Sequence, residues 1–118
     1  MRATIIVPQT DSEGQEVPPD AFAWWECRLG LDFRAFTRVS GTRMFLEGPD
    51  ETLNEISALM YTVESKEEES PEKFTREVRY HLALAEVEFG VGRVFGTIHP
   101  EDTEVRPDRE ARREVQQT

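Results

Sequence analysis

Apolar residues recur with helical spacing in two parts of the chain. Phe74, Val78, Leu82, Ala85 and Phe89 follow steps of four, four, three and four, so they form one stripe of a helix that lies against something apolar. Ser70 precedes that stripe as an N-cap, Pro71 occupies the first helical position, and Glu72 faces the positive end of the helix dipole. Gly90 is the natural stop, because glycine enters the left-handed conformation at little cost. A second stripe, Phe22, Trp25, Leu29, Phe33 and Phe36, follows Pro18-Pro19-Asp20 and predicts another helix. Gly30 weakens its last turns by about 1 kcal/mol relative to alanine.

Between the helical stretches the pattern changes to that of strands. Residues 2–8 are β-branched and end at Pro8, which cannot donate to a ladder. Thr37 to Glu47 predicts a strand carrying Val39, Met44, Phe45 and Leu46, with Gly41 as a bulge or bend and Gly48-Pro49-Asp50 as a turn. Thr52 to Glu64 fits two periods. Leu53, Ile56, Met60 and Val63 suit a helix capped by Asp50, whereas Met60-Tyr61-Thr62-Val63 is strand-like, and a strand over 55–64 is the expectation. Ser65 to Glu69 is a charged connector. Residues 93–98 form a strand, His99-Pro100-Glu101-Asp102 a turn, and Thr103 to Arg106 a short edge strand. From Pro107 onward apolar content almost vanishes, as in a frayed helix or a disordered tail.

Strand, helix, strand, strand, helix, strand is the ferredoxin-like βαββαβ plan of the α+β class. It predicts an antiparallel four-stranded sheet with two helices on one face. Residues 1–106 would be this single domain and residues 107–118 its charged tail. The stretch Thr4-Ile-Ile-Val-Pro-Gln-Thr-Asp-Ser-Glu-Gly14, Phe33-Arg-Ala-Phe36-Thr37, Glu55 leading into Tyr61-Thr-Val63, and Phe89-Gly90 ahead of Val94 resemble a group of small uncharacterised proteins of bacterial genomes, plasmids and phages. The matches are short and scattered over residues 3–95. The chain departs from the group's Gly-Gly-Phe-Thr at Arg34-Ala35-Phe36-Thr37, and its segment Arg43 to Leu53 is longer. The resemblance implies the βαββαβ plan and a mobile-element origin; it brings no catalytic residue.

The length, 118 residues, suits one domain. A net charge of −10 argues against direct nucleic-acid binding, since phosphates would be repelled, and favours solubility or a basic partner. The positive residues are Lys66, Lys73 and twelve arginines. No apolar run reaches the roughly 20 residues of a membrane span, and the first residues lack the plan of a signal peptide. With a single cysteine, Cys27, these features place the chain in a reducing cytoplasm.

Candidate chemistry is sparse. His81 lies beside the second stripe, where it would be a general base in a cleft between helix and sheet, or an ordinary boundary histidine. His99 sits in a turn. Asp11, Glu13 and Glu16 lack the spacing of a cation loop. Cys27 has Arg28 beside it but no histidine near in sequence. Gly90-Val91-Gly92 before Arg93 follows a helix rather than opening one, the reverse of a phosphate loop. No metal or cofactor is expected.

The backs of the two helices are more informative. Trp24, Cys27 and Leu31 fall opposite the first stripe, and Tyr80, Leu84 and Val87 opposite the second. Aromatic residues of this kind are enriched where proteins meet. The acidic run Glu64, Glu67, Glu68, Glu69 and Glu72 is a solvated connector or part of a face that fits a basic groove. The preferred expectation is a non-catalytic interaction factor, a phage- or plasmid-encoded inhibitor or accessory protein. It would bind another protein or itself, as a homodimer, through Trp24, Leu31, Tyr80, Leu84, Val87, Glu67, Glu68 and Glu69. The first alternative is a small ligand-binding module or enzyme of the dimeric α/β-barrel type, whose units pair through their sheets, with His81 and Tyr61 as polar contacts. The second is a virion or assembly component.

Overall fold

The structure, a computed structural model, describes residues 1–47, 52–92 and 94–117. The turn expected at Gly48-Pro49-Asp50 and the strand start at Arg93 lie outside the described residues. Among the described residues the elements run β1 (Arg2–Pro8), α1 (Pro19–Asp32), β2 (Ala35–Glu47), β3 (Leu53–Glu64), α2 (Pro71–Phe89), β4 (Phe95–His99), β5 (Thr103–Val105) and α3 (Arg109–Gln116). All pairings are antiparallel and the strand order is β2-β3-β1-β4-β5.

The expected four-stranded sheet with two helices is therefore corrected to five strands and three helices. β5 extends the sheet because Thr103–Val105 pairs with Gly96–Ile98. The ambiguous Thr52–Glu64 stretch is a strand, held in register by β1 on one side and β2 on the other.

Alternation along the strands sets the layers. Ala3, Ile5 and Val7 of β1 and Leu59, Tyr61 and Val63 of β3 point to one face and are buried. Phe22, Trp25 and Leu29 of α1 and Phe74, Val78, Leu82 and Phe89 of α2 cover that face. The rings interlock edge to face, with Trp25 4.9 Å from Tyr61 and 5.7 Å from Phe89. The first helical stripe is cut short: α1 ends at Asp32 and Phe33 is extended at φ −113°. Phe33 and Phe36 still join the core, Phe36 from β2.

Two positive-φ glycines shape the chain. Gly41, at φ 82°, sits where the β2–β3 register shifts between Val39 and Thr42. Gly90, at φ 67°, caps α2 and donates its N–H to the Glu86 carbonyl. Ser70 Oγ accepts from Lys73 N–H at the other end of α2, as its position required.

The charged tail is helical. Asp108 accepts from the Ala111 amide and caps α3, and α3 places Ala111 and Val115 in the core cluster against α2. Its three arginines and two glutamates hid this, because only two apolar side chains anchor the helix. No helix among the described residues is long and apolar enough to cross a membrane.

Candidate functional site: an acidic cluster around His81

The site is built where the end of α1, the connector and the first half of α2 meet. The connector docks by Lys66, whose Nζ donates to the Leu31 carbonyl at 3.0 Å and satisfies a free acceptor at the α1 terminus. Its backbone N–H donates to Glu69 Oε2 at 3.2 Å. Glu68 holds a left-handed φ of 61°, and this turn directs Glu69 inward rather than to solvent. On α2, Glu77 and His81 are four residues apart and share a face.

His81 is completely buried. Its Nε2 lies 2.7 Å from Asp32 Oδ2, and its ring packs 5.3 Å from both Phe33 and Tyr80. Burial holds its pKa below the ordinary histidine value, although Asp32 pulls the other way. In the neutral ring Nε2–H then donates to Asp32 and Nδ1 carries the free lone pair.

Glu77 is the complementary case. Burial first, then the hydrogen bond and charge of Glu69 and the charge of Asp32, push its pKa up to about 7. Lys73, at 4.0 Å, opposes this weakly. Glu77 thus keeps its proton to near neutral pH, facing the carboxyl of Glu69. Among the described residues, the buried side-chain polar atoms without a hydrogen-bond partner are Glu69 Oε1, Glu77 Oε2 and His81 Nδ1. All three belong to this cluster; the proton on Glu77 lets the two carboxyls satisfy one another, which leaves His81 Nδ1 as the buried atom whose cost is uncompensated. An open cavity of about 490 Å³ lies beside it, lined by Arg76, Glu77, Tyr80, Glu114 and Gln117. Its acceptors, Glu77 and Glu114, and the Tyr80 ring suit a cationic group, while Arg76 suits an anionic one; no group of three or more His, Cys, Asp or Glu placed to hold a metal occurs among the described residues.

The other sequence candidates are scattered. Tyr61 does not converge with His81: its hydroxyl donates to Glu26 at 2.6 Å, Glu26 also accepts from Arg38 at 2.8 Å, and Trp25 fills the space between. Burial and Glu26 push the Tyr61 pKa above its ordinary value. The expected cleft is therefore a filled core. His99 bridges Thr4 Oγ1 and Asp102 Oδ1 at 2.9 and 2.8 Å. Asp11 accepts from the Glu13 and Gln15 amides and organises its own loop. Cys27 is exposed, and Arg93 lies outside the described residues.

The set expected to bind a partner divides. Trp24, Leu31 and Val87 are exposed, as are Glu67 and Glu68. Leu84, expected on the surface, is buried in the core cluster, and Tyr80 is half-buried against it. Glu69 turns inward. The pairing of Glu69 with Glu77 across a turn was not legible in the sequence. Asp32 did leave a sign there: an acid at a helix C-terminus opposes the dipole, and such violations gather at sites.

No family model matches the sequence, and no curated protein does. Two solved structures share the fold. One is a phage SAM lyase in complex with S-methyl-5'-thioadenosine, 17% identical, with 87% of this chain and 82% of that chain covered and a TM-score of 0.66. The other is a phage SAM lyase in the apo state, 18% identical, covering 88% of this chain and 82% of that one, also at 0.66. At these identities the likeness shows the fold. The expectation of a non-catalytic interaction factor is corrected by this finding, since both of these structures that share the fold are of an enzyme.

Proposed function

We propose that the chain is a small ligand-binding enzyme, a lyase acting on S-adenosylmethionine or a closely related sulfonium, encoded by a phage or another mobile element and working in the cytoplasm. The observation that carries this reading is the gathering of Glu69, the protonated Glu77 and the buried His81, whose Nδ1 has no partner, beside a cavity of ligand size that Glu77 lines. The substrate class is supported by the fold shared with the phage SAM lyase structures, and the setting by their phage origin together with the lone Cys27.

The chemistry follows from the substrate's charges. Its ammonium and sulfonium are both cations, and Glu77 and Glu114, which line the cavity, with Glu69 beside Glu77, are the acids to receive them. The face of Tyr80 adds attraction for a cation. When the bond between sulfur and the aminobutyrate arm breaks, its electron pair goes to sulfur and neutral S-methyl-5'-thioadenosine leaves. The carboxylate of Glu69 takes a proton from the carbon next to the one that bore sulfur, and the electron pair of that C–H bond closes a carbon–carbon double bond in the arm. No water or oxidant enters. Incubation with S-adenosylmethionine, read by mass spectrometry, yields S-methyl-5'-thioadenosine, and Glu69→Gln or Glu77→Gln reduces the rate at least tenfold with the fold retained. An unchanged substrate, or variants as active as the native chain, overturns the reading.

A further inference from the structure

We infer that the uncovered face of the sheet is covered by a second copy of this chain. The side chains opposite the buried face form two cross-strand rows. Thr37, Thr62, Thr4 and Thr97 are neighbours across β2, β3, β1 and β4. Val39, Met60, Ile6 and Phe95 form the next row, with Val39 43% exposed. Neither row contains a charge, in a chain of which 32% is charged.

That neutrality identifies the occupant. Two copies carrying −10 each repel wherever their acidic surfaces approach. This face is where they meet without like charges. Sheets pack face to face about 10 Å apart, and side chains of threonine and aliphatic type interdigitate there.

The area is sufficient when the β2–β3 arm is included. β1 pairs with β3 only from Ala58 to Glu64, so residues 53–57 and their β2 partners extend as a two-stranded ribbon. Such a ribbon is marginal by itself. It carries Phe45 and Leu53, 62% and 70% exposed. Five residues reach roughly 16 Å, enough to pass the edge of a sheet stacked at about 10 Å. The row beyond the threonines, Ala35, Glu64, Arg2 and His99, sets opposite charges side by side; four strands and these three rows give a patch of roughly 20 by 20 Å, and with the arms the two copies bury on the order of 1,000 Å² in total, the lower bound of a specific interface.

Light scattering coupled to size exclusion tests this on the full chain. The native protein is expected at no less than twice 13.6 kDa. Val39→Glu, at an exposed edge-strand position, should reduce the mass to that of one chain with the circular dichroism spectrum unchanged. Ile6→Lys repeats the test at the centre of the face. Trp24→Ser and Val87→Ser, on the helix backs, should leave the mass alone. A native protein of 13.6 kDa over a wide dilution series overturns the proposal, even where another protein is found on the face. So does an oligomer that survives Val39→Glu or dissociates with Trp24→Ser. The outcome is independent of whether S-adenosylmethionine is cleaved.

Discussion

Replacing Glu77 by glutamine should change stability in a pH-dependent way. Glutamine has the shape of a protonated glutamate and never ionises. The Glu77 carboxyl is raised from 4.5 to about 7 in the folded chain, so the native state holds a proton that the unfolded state has released throughout this interval. Stability of the native protein therefore falls as pH rises from about 4.5 to about 7. In full, that displacement amounts to roughly 3 kcal/mol. The side chain is 23% exposed and Lys73 lies 4.0 Å away, so screening reduces the expected effect to about 1–2 kcal/mol. Near pH 4, where Glu77 is protonated in both states, the two proteins should unfold at the same urea concentration. Near pH 8 Glu77→Gln should be the more stable by that amount, or about 5–10 °C in Tm for a domain of this size. Parallel pH profiles, or a glutamine variant less stable at every pH, would refute the raised pKa of Glu77.

The other predictions concern parts that hold the site in place. His81, with its pKa lowered by burial, contributes stability present above about pH 6.5 and lost as pH falls below it; its imidazole proton shifts in an NMR titration should show a neutral ring well below the ordinary midpoint. Leu84→Ala should cost about 2–4 kcal/mol and loosen α3, so that limited proteolysis cuts near Pro107 sooner than in the native chain. Gly90→Ala should cost about 1–2 kcal/mol in thermal unfolding, because φ 67° is left-handed, although a Cβ would meet Asp11 Cβ only at an ordinary 3.8 Å.

Much of the fold was legible where periodicity and caps agreed. Phe74 to Phe89 repeats at helical spacing between Ser70 and Gly90, and α2 occupies that span. Phe33 and Phe36 continued the first stripe by spacing alone, yet α1 ends at Asp32, and pairing of β2 with β3 from Ala35 took Phe36 into the sheet. α3 was illegible because Ala111 and Val115 are too few to set a period, and their burial depends on α2. The site was hidden for a similar reason. Glu69 reads as one more acid in Ser65–Glu69, and only the left-handed Glu68 and the Lys66 amide turn it toward Glu77. His81 stood out in the sequence, but its partner Asp32 lies 49 residues away. The expected pairing of Tyr61 with His81 failed because Trp25, donating to the His81 carbonyl at 3.1 Å, fills the intervening space.

An NMR titration with S-methyl-5'-thioadenosine tests the central claim most directly. The account predicts saturable backbone shifts concentrated at Glu69, Glu77, Tyr80 and Asp32, abolished in Glu77→Gln. Binding that perturbs only residues remote from this cluster, or no saturable shift at all, would contradict it.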